Sequence, residues 1–148
     1  MSFSSLSSIQ IFRFFKFRFE PNFLWVDFIC PSTLQLSVFI KLLLEPVRNS
    51  DGYSRIELGL HEALVNAVQH GNSSDPSKSI RVRRILTPNW IIWQIQDEGN
   101  GIPLQSRVGI LPLDIEVENG RGLFLIYSCF DDVRWSKKGN RLQLGIKR

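Results

Sequence analysis

The stretch from Arg55 to His70 reads as a helix with little surface to give to water, and that constrains this chain more than any other feature. Ile56, Leu60, Ala63, Leu64, Ala67 and Val68 recur at helical spacing and fill a broad apolar arc, which Leu58 and Val65 extend round the other side. Along the polar side runs a narrow stripe of Arg55, Gly59, Glu62, Asn66, Gln69 and His70. A helix on the surface of a globular protein ordinarily shows a wide charged face. One with only this stripe to spare belongs inside a packed domain, with its polar edge along a cleft. Glu62, Asn66 and His70 stand four residues apart, so acid, amide and imidazole form one drifting line roughly 12 Å long. Gly59, a residue type costing ~1 kcal/mol against alanine in mid-helix, opens space beside that line.

Two further strings carry chemistry. Asp97-Glu-Gly99-Asn-Gly101 closes a run, Ile91 to Ile95, that reads as buried. A carboxylate at the end of a buried strand needs a strong donor; an adenine amine, an arginine and a loop amide all qualify. The alternate glycines permit positive φ and let a ligand approach bare backbone. Asn119-Gly120-Arg121-Gly122-Leu123 places two glycines before a helical pattern, Leu123 to Cys129. Free N–H groups and a positive dipole end there would make a phosphate seat. Each signal alone has an ordinary structural reading. Glu62 and Asn66 could be a solvated pair, His70 a helix C-terminal residue, the acidic-glycine string a turn and the glycine pair a plain helix start. Taken together, the three point to a site for a nucleotide and its metal.

The rest of the chain supplies the frame. Ile11 to Phe19 nearly alternates aromatic and basic residues, slipping at Phe14-Phe15, which predicts a strand with a bulge or an extension ordered against a partner. Asn22 to Ile29 reads as a strand. Pro31-Ser-Thr33 starts a helix whose buried face is Leu34, Leu36, Phe39, Leu42 and Leu43, and Pro46 ends it. Ser50-Asp-Gly52 starts the central helix, Tyr53 to His70, and Gly71 to Ser77 is a loop by composition. Ile80–Leu86 and Trp90–Gln96 form a hairpin across Thr87-Pro-Asn89, and Asp132–Trp135 and Arg141–Ile146 form another. Between Ile102 and Glu118 no periodicity holds, as in a lid.

At 148 residues and 43% hydrophobic, the chain supports one core, read as an extension over 1–20 and a domain over 21–148. No second domain fits, so no attached phosphoacceptor or dimerisation domain is expected. The formal net charge of +4 gives nucleic-acid binding little support, although Arg13, Lys16 and Arg18 beside phenylalanines would suit a nucleic-acid or lipid surface. Cys30 and Cys129 show no metal-type spacing and read as buried thiols in a reducing compartment. The charges in the first twenty residues argue against a signal peptide, and no apolar run reaches the ~18–20 residues of a membrane helix. The expected place is the cytoplasm.

In their order and intervals, the three strings resemble the boxes of the histidine-kinase-like ATPases, which include gyrase-type topoisomerases, the ninety-kilodalton heat-shock chaperone and mismatch-repair ATPases. The resemblance covers Pro31 to Lys147. Ile56-Glu-Leu-Gly-Leu-His-Glu-Ala-Leu-Val-Asn-Ala-Val-Gln-His-Gly-Asn72 and Gly120-Arg-Gly-Leu-Phe-Leu-Ile126 look most like the bacterial anti-sigma-factor serine/threonine kinases. The resemblance implies an α+β fold: a two-layer sandwich (the Bergerat ATP-binding fold), with a mixed, mostly antiparallel sheet and helices packed on one face. It implies ATP and Mg²⁺ as cofactors. Asn66 would coordinate Mg²⁺, Glu62 would be general base on the attacking hydroxyl, and Asp97 would accept from the adenine amine. Gly99 and Gly101 would flank the base, and Gly120, Arg121 and Gly122 would hold the phosphates. The chain departs from many relatives in having Gly139-Asn140 where they have Gly-Thr, and Asn119 where they have a further glycine.

The resemblance further implies an ATP-dependent protein kinase that holds a sigma factor and phosphorylates a serine or threonine on a small STAS-type anti-anti-sigma protein. A homodimer through the phenylalanine-rich extension fits the same branch, with no membrane and no nucleic acid among the partners. The alternative is a non-catalytic switch that uses ATP to alter its affinity for a protein partner.

Overall fold

The computed structural model describes residues 12–15, 22–107 and 118–148. Six strands form one sheet in the order β1-β2-β3-β4-β6-β5: β1 is Phe12–Phe15, β2 Leu24–Pro31, β3 Ser79–Leu86, β4 Trp90–Gln96, β5 Asp132–Trp135 and β6 Arg141–Lys147. Every pairing is antiparallel. Three helices complete the sandwich: α1 Ser37–Leu43, α2 Tyr53–Asn66 and α3 Glu118–Cys129.

The registers align one apolar row across the sheet. Phe28 stands opposite Val82 and Val82 opposite Ile95, which faces Leu142; Trp93 faces Leu144. All six are buried. Alternation at period two turns these side chains to one face. There they meet Phe39, Ile40 and Leu43 of α1, Ile56, Leu60 and Leu64 of α2, and Leu123 and Ile126 of α3 in a single core. The opposite face carries polar pairs such as Arg83 with Asp27 at 2.7 Å and Gln94 with Gln143 at 2.8 Å.

Arg84 breaks the apolar row and is nonetheless only 6% exposed. Its guanidinium donates to the carbonyl of Leu42 at 2.7 Å, and the indole N–H of Trp93 donates to that of Leu43 at 2.9 Å. The last carbonyls of α1 are thus bonded from the sheet beneath, where a cation also favours the negative helix end.

Several expectations change. Phe14 and Phe15 pair with consecutive residues, Asp27 and Val26, so no bulge separates them. The first helix begins at Ser37, and Thr33 caps no helix: its hydroxyl accepts the N–H of Gln35 in a local turn. That shift turns Leu34 and Leu42 outward, to 55% and 37% exposure, and buries Ile40 and Leu44 instead. Leu58 is likewise 46% exposed. Gly59 opens no space beside the polar stripe. A Cβ there would meet Cys129 and Phe130, so its bare backbone is what lets α2 lie close against the end of α3. Among the described residues, no helix is long and apolar enough to cross a membrane. Residues 108–117 of the expected lid and most of the first twenty residues lie outside the described residues.

Candidate nucleotide site

The α-helical pattern of α2 stops at Asn66 and passes into a π-helical turn, Ala67–Gly71. Its wider ring brings the N–H of Asn72 to the carbonyl of Ala67 at 2.8 Å, and swings the end of the stripe toward the turn after β4. Between them lies a cavity of about 670 Å³, lined by Asn66, His70, Asp97, Gly99 and Gly101, with Lys78, Ile102 and Trp135 among its other walls. That is the size range of small-molecule and cofactor sites.

Close backbone approaches set the Asp97 end. Gly71 leaves the room that the Asp97 carboxylate occupies, and Gly99 leaves the room for the carbonyl of Gly71; a Cβ at either position would overlap its neighbour. Gly101 has φ +89° and lies against the carbonyl of Lys138, so this glycine is required twice, by conformation and by space. Asn72 ties the arrangement from behind. Fully buried, its amide donates to Ser32 Oγ at 3.2 Å and to the carbonyl of Ser79 at 3.0 Å, and its Oδ1 accepts the N–H of Glu98 at 2.8 Å. One side chain therefore fixes the start of β3 and the turn that carries Asp97 relative to the end of α2.

Asp97 takes the loop-amide option for one of its oxygens: Oδ1 accepts the N–H of Gly99 at 2.8 Å. Among the described residues no hydrogen-bond donor reaches Oδ2, which keeps acceptor capacity for an exocyclic amine. Burial pushes the Asp97 carboxyl above its ordinary value, against the opposing pull of the Gly99 N–H, Lys138 and Lys78. A carboxyl whose folded value is raised contributes stability in its protonated form below the unfolded value, and loses it as pH rises through the folded value. At neutral pH the bare carboxylate is therefore a cost to the ligand-free fold. Asp97→Asn is expected to raise the melting temperature of the ligand-free protein at pH 7, with the gain vanishing at pH values below the ordinary carboxylate range. Melting curves across pH check this. A gain that grew toward acid would reverse the assignment.

Glu62 lies outside the cavity walls, at the Asn66 end. A Cβ on Gly122 would stand 3.3 Å from Glu62 Oε2 and 3.4 Å from Asn66 Nδ2, so the glycine allows α3 to cross close over both side chains. The glycine pair does not precede this helix. Because α3 begins at Glu118, Gly120 falls in its first turn, and Arg121 and Gly122 follow on. The N–H groups without intrahelical partners are consequently those of the first turn, not of Gly122. Arg121 is exposed and already engaged. Asn140 stands where many relatives have threonine; its amide donates at 3.5 Å to the carbonyl of Asp97, and its own carbonyl accepts the Asp97 N–H at 3.0 Å.

Gly71, Asn72 and Gly139 were not singled out as site residues from sequence. The first two directly follow the Glu62–His70 stripe, and that adjacency was the available signal. Gly139 had a signal in its place beside Asn140, where many relatives have Gly-Thr. Among the described residues there is no cluster of three or more His, Cys, Asp or Glu. That donor set is compatible with Mg²⁺, which takes one or two protein groups and completes its shell with phosphate and water. The Asn66 amide oxygen and the Glu62 carboxylate are hard donors of that kind.

The domain is thus a two-layer α+β sandwich with a cavity between its second helix and the turn after its fourth strand, and an acceptor carboxylate in the cavity wall. Residues 43–146 match the histidine kinase-like ATPase domain, and the chain belongs to that family. Membership implies ATP binding by this domain. The chain is also similar to an anti-sigma F factor of Geobacillus stearothermophilus, 28% identical over 87 residues, which are 57% of this chain and 60% of that protein. The chain thus spans about three-fifths of the length of that relative.

Proposed function

We propose that this chain is an ATP-dependent regulatory protein of anti-sigma type, holding a sigma factor and phosphorylating a serine or threonine on an anti-anti-sigma partner. The observation that carries this reading is the meeting of Glu62 and Asn66 over Gly122, beside the cavity and at the end remote from Asp97. The family match and the similarity to an anti-sigma F factor support it.

In this reading Asp97 Oδ2 accepts from the adenine amine, and Gly99 and Gly101 let the base approach the backbone. Asn66 would hold Mg²⁺ through its amide oxygen, and that ion when bound would neutralise phosphate charge. Glu62 Oε2 takes the proton of the attacking hydroxyl as its oxygen bonds the terminal phosphorus of ATP, whose bond to the bridging oxygen breaks to release ADP. The first turn of α3, with Gly120, Arg121 and Gly122, orients the phosphates by dipole and charge. The contribution of the chain is positioning and electrostatics. Glu62 stands beside the cavity rather than in its wall, which favours as second reading a switch that binds ATP without transferring its phosphate.

Calorimetric titration with ATP, with and without Mg²⁺, tests the site. Wild type is expected to need Mg²⁺ for tight binding, and Asn66→Ala to bind about 10–100-fold more weakly, equivalent to ~1.4–2.7 kcal/mol. Equal affinity in the two proteins would remove Asn66 from the site. Mg²⁺-dependent binding with no transfer to any serine-bearing partner would favour the switch.

A further inference from the structure

Arg107 stands behind the cavity, outside its walls, and makes more backbone contacts than any role discussed above requires. Its Nε donates to the carbonyl of Ile102 at 3.0 Å, Nη1 to that of Ser136 at 3.1 Å and Nη2 to that of Lys137 at 3.2 Å. The same residue is held from its own backbone: the Tyr127 hydroxyl of α3 donates to the Arg107 carbonyl at 2.7 Å and accepts the indole N–H of Trp135 at 3.3 Å. The guanidinium occupies the place a side chain would take on Gly139, which has φ +84°. Alongside, the N–H of Ile102 donates to the carbonyl of Gly139 at 3.1 Å, and Gly101 abuts the carbonyl of Lys138.

Two turns separated in sequence therefore meet backbone to backbone at the Asp97 end of the cavity, one carrying Gly101 and Ile102, the other Lys138 and Gly139. Packing without side chains leaves little apolar area to hold such a junction. A planar fork with several fixed donors can join three carbonyls at once, whereas an ammonium offers one point charge. Ile102, Gly139 and Trp135 all line the cavity together with Asp97, so the junction shapes part of its wall.

We propose that Arg107 is a positioning residue of the nucleotide site: by clamping the Ile102 carbonyl to those of Ser136 and Lys137, it fixes the wall that presses the base onto Asp97. This rests on the reading of the cavity as an ATP site. Loss of the clamp should loosen base selection rather than binding in general. Because the Ser136 and Lys137 carbonyls remain solvated in its absence, the domain should still fold.

The test compares ATP with the triphosphate of purine riboside, which lacks the 6-amino group, on wild type, Arg107→Ala and Arg107→Lys. Wild type should prefer ATP, and in both variants that preference should fall about tenfold, the lysine giving no rescue. Amide exchange at Ile102 should quicken in both variants. An unchanged preference, or equal weakening of both nucleotides, would overturn the proposal. If wild type binds neither nucleotide, the ATP reading fails by itself. The exchange rate at Ile102 then still decides whether Arg107 holds the junction, and an unchanged rate would show that it does not.

Discussion

Glu62→Gln is expected to leave ATP affinity within about twofold of wild type and to cut phosphoryl transfer to a protein serine by about 10²–10⁴-fold. The substitution keeps the shape of the side chain and its packing against Gly122, whose absent Cβ gives Glu62 Oε2 its room. What it removes is the capacity to accept a proton while the hydroxyl oxygen attacks. Because Glu62 lies outside the cavity walls, nucleotide contacts should persist, and this separation makes the variant informative. Calorimetry and a transfer assay with radiolabelled ATP, run on one preparation, give the two numbers. Transfer unchanged from wild type would take the general-base role from Glu62. A parallel loss of binding would instead place this carboxylate among the nucleotide contacts.

Gly99→Ala should be among the most damaging single-methyl changes in the described residues. The new Cβ would fall on the carbonyl of Gly71, which is backbone and cannot rotate aside as a side chain does. One of the two turns must move. Movement of the first turn breaks the bond from the Gly99 N–H to Asp97 Oδ1, and movement of the second displaces the Asn72 amide from the Glu98 N–H. Overpacking of this kind costs about 1–3 kcal/mol, and lost buried hydrogen bonds about 1 kcal/mol each. A drop of roughly 10 °C in melting temperature is expected, together with loss of about 100-fold or more in ATP affinity, since the displaced carboxylate is the group proposed to accept from the base. Gly52→Ala is the control. Its Cβ would find only the tip of Arg55 at 3.6 Å and Ile56 at 3.7 Å, and it should be near neutral. Equal effects from the two alanines would mean that close approach at Gly99 is not what fixes the turn.

The legibility of this chain depends on how local each signal is. The β-rich runs Ile80–Leu86, Trp90–Gln96 and Arg141–Ile146 mark strands where the structure has them, because strand composition and the turns between strands are local signals. They could say nothing useful of Arg84, whose burial depends on the α1 carbonyls forty-two residues earlier in the chain. The same holds for α1 itself. A list of leucines at plausible spacing gave one buried face, and packing redraws it, exposing Leu34 and Leu42 and burying Ile40 and Leu44.

The site divides along the same line. Asn66, Asp97, Gly99 and Gly101 were readable as a set, and the structure brings these four into one cavity. Gly59 was assigned to the stripe by its place on the helical wheel, yet its bare backbone serves contact with Cys129 and Phe130. Gly120 and Gly122 were expected to open α3 and lie within it instead, because the helix extends back to Glu118.

By itself the sequence determined most of the strands, the central helix and its polar stripe, since each follows from patterns that operate over a few residues, while the α+β class came with the resemblance that its three strings carry. Only the tertiary structure decided which glycine faces which carbonyl, that Asn72 joins three segments from a fully buried position, and that Arg107 bridges two turns. A periodic pattern states which way a side chain points. What it meets there is set by chain segments tens of residues away, and no local rule contains them.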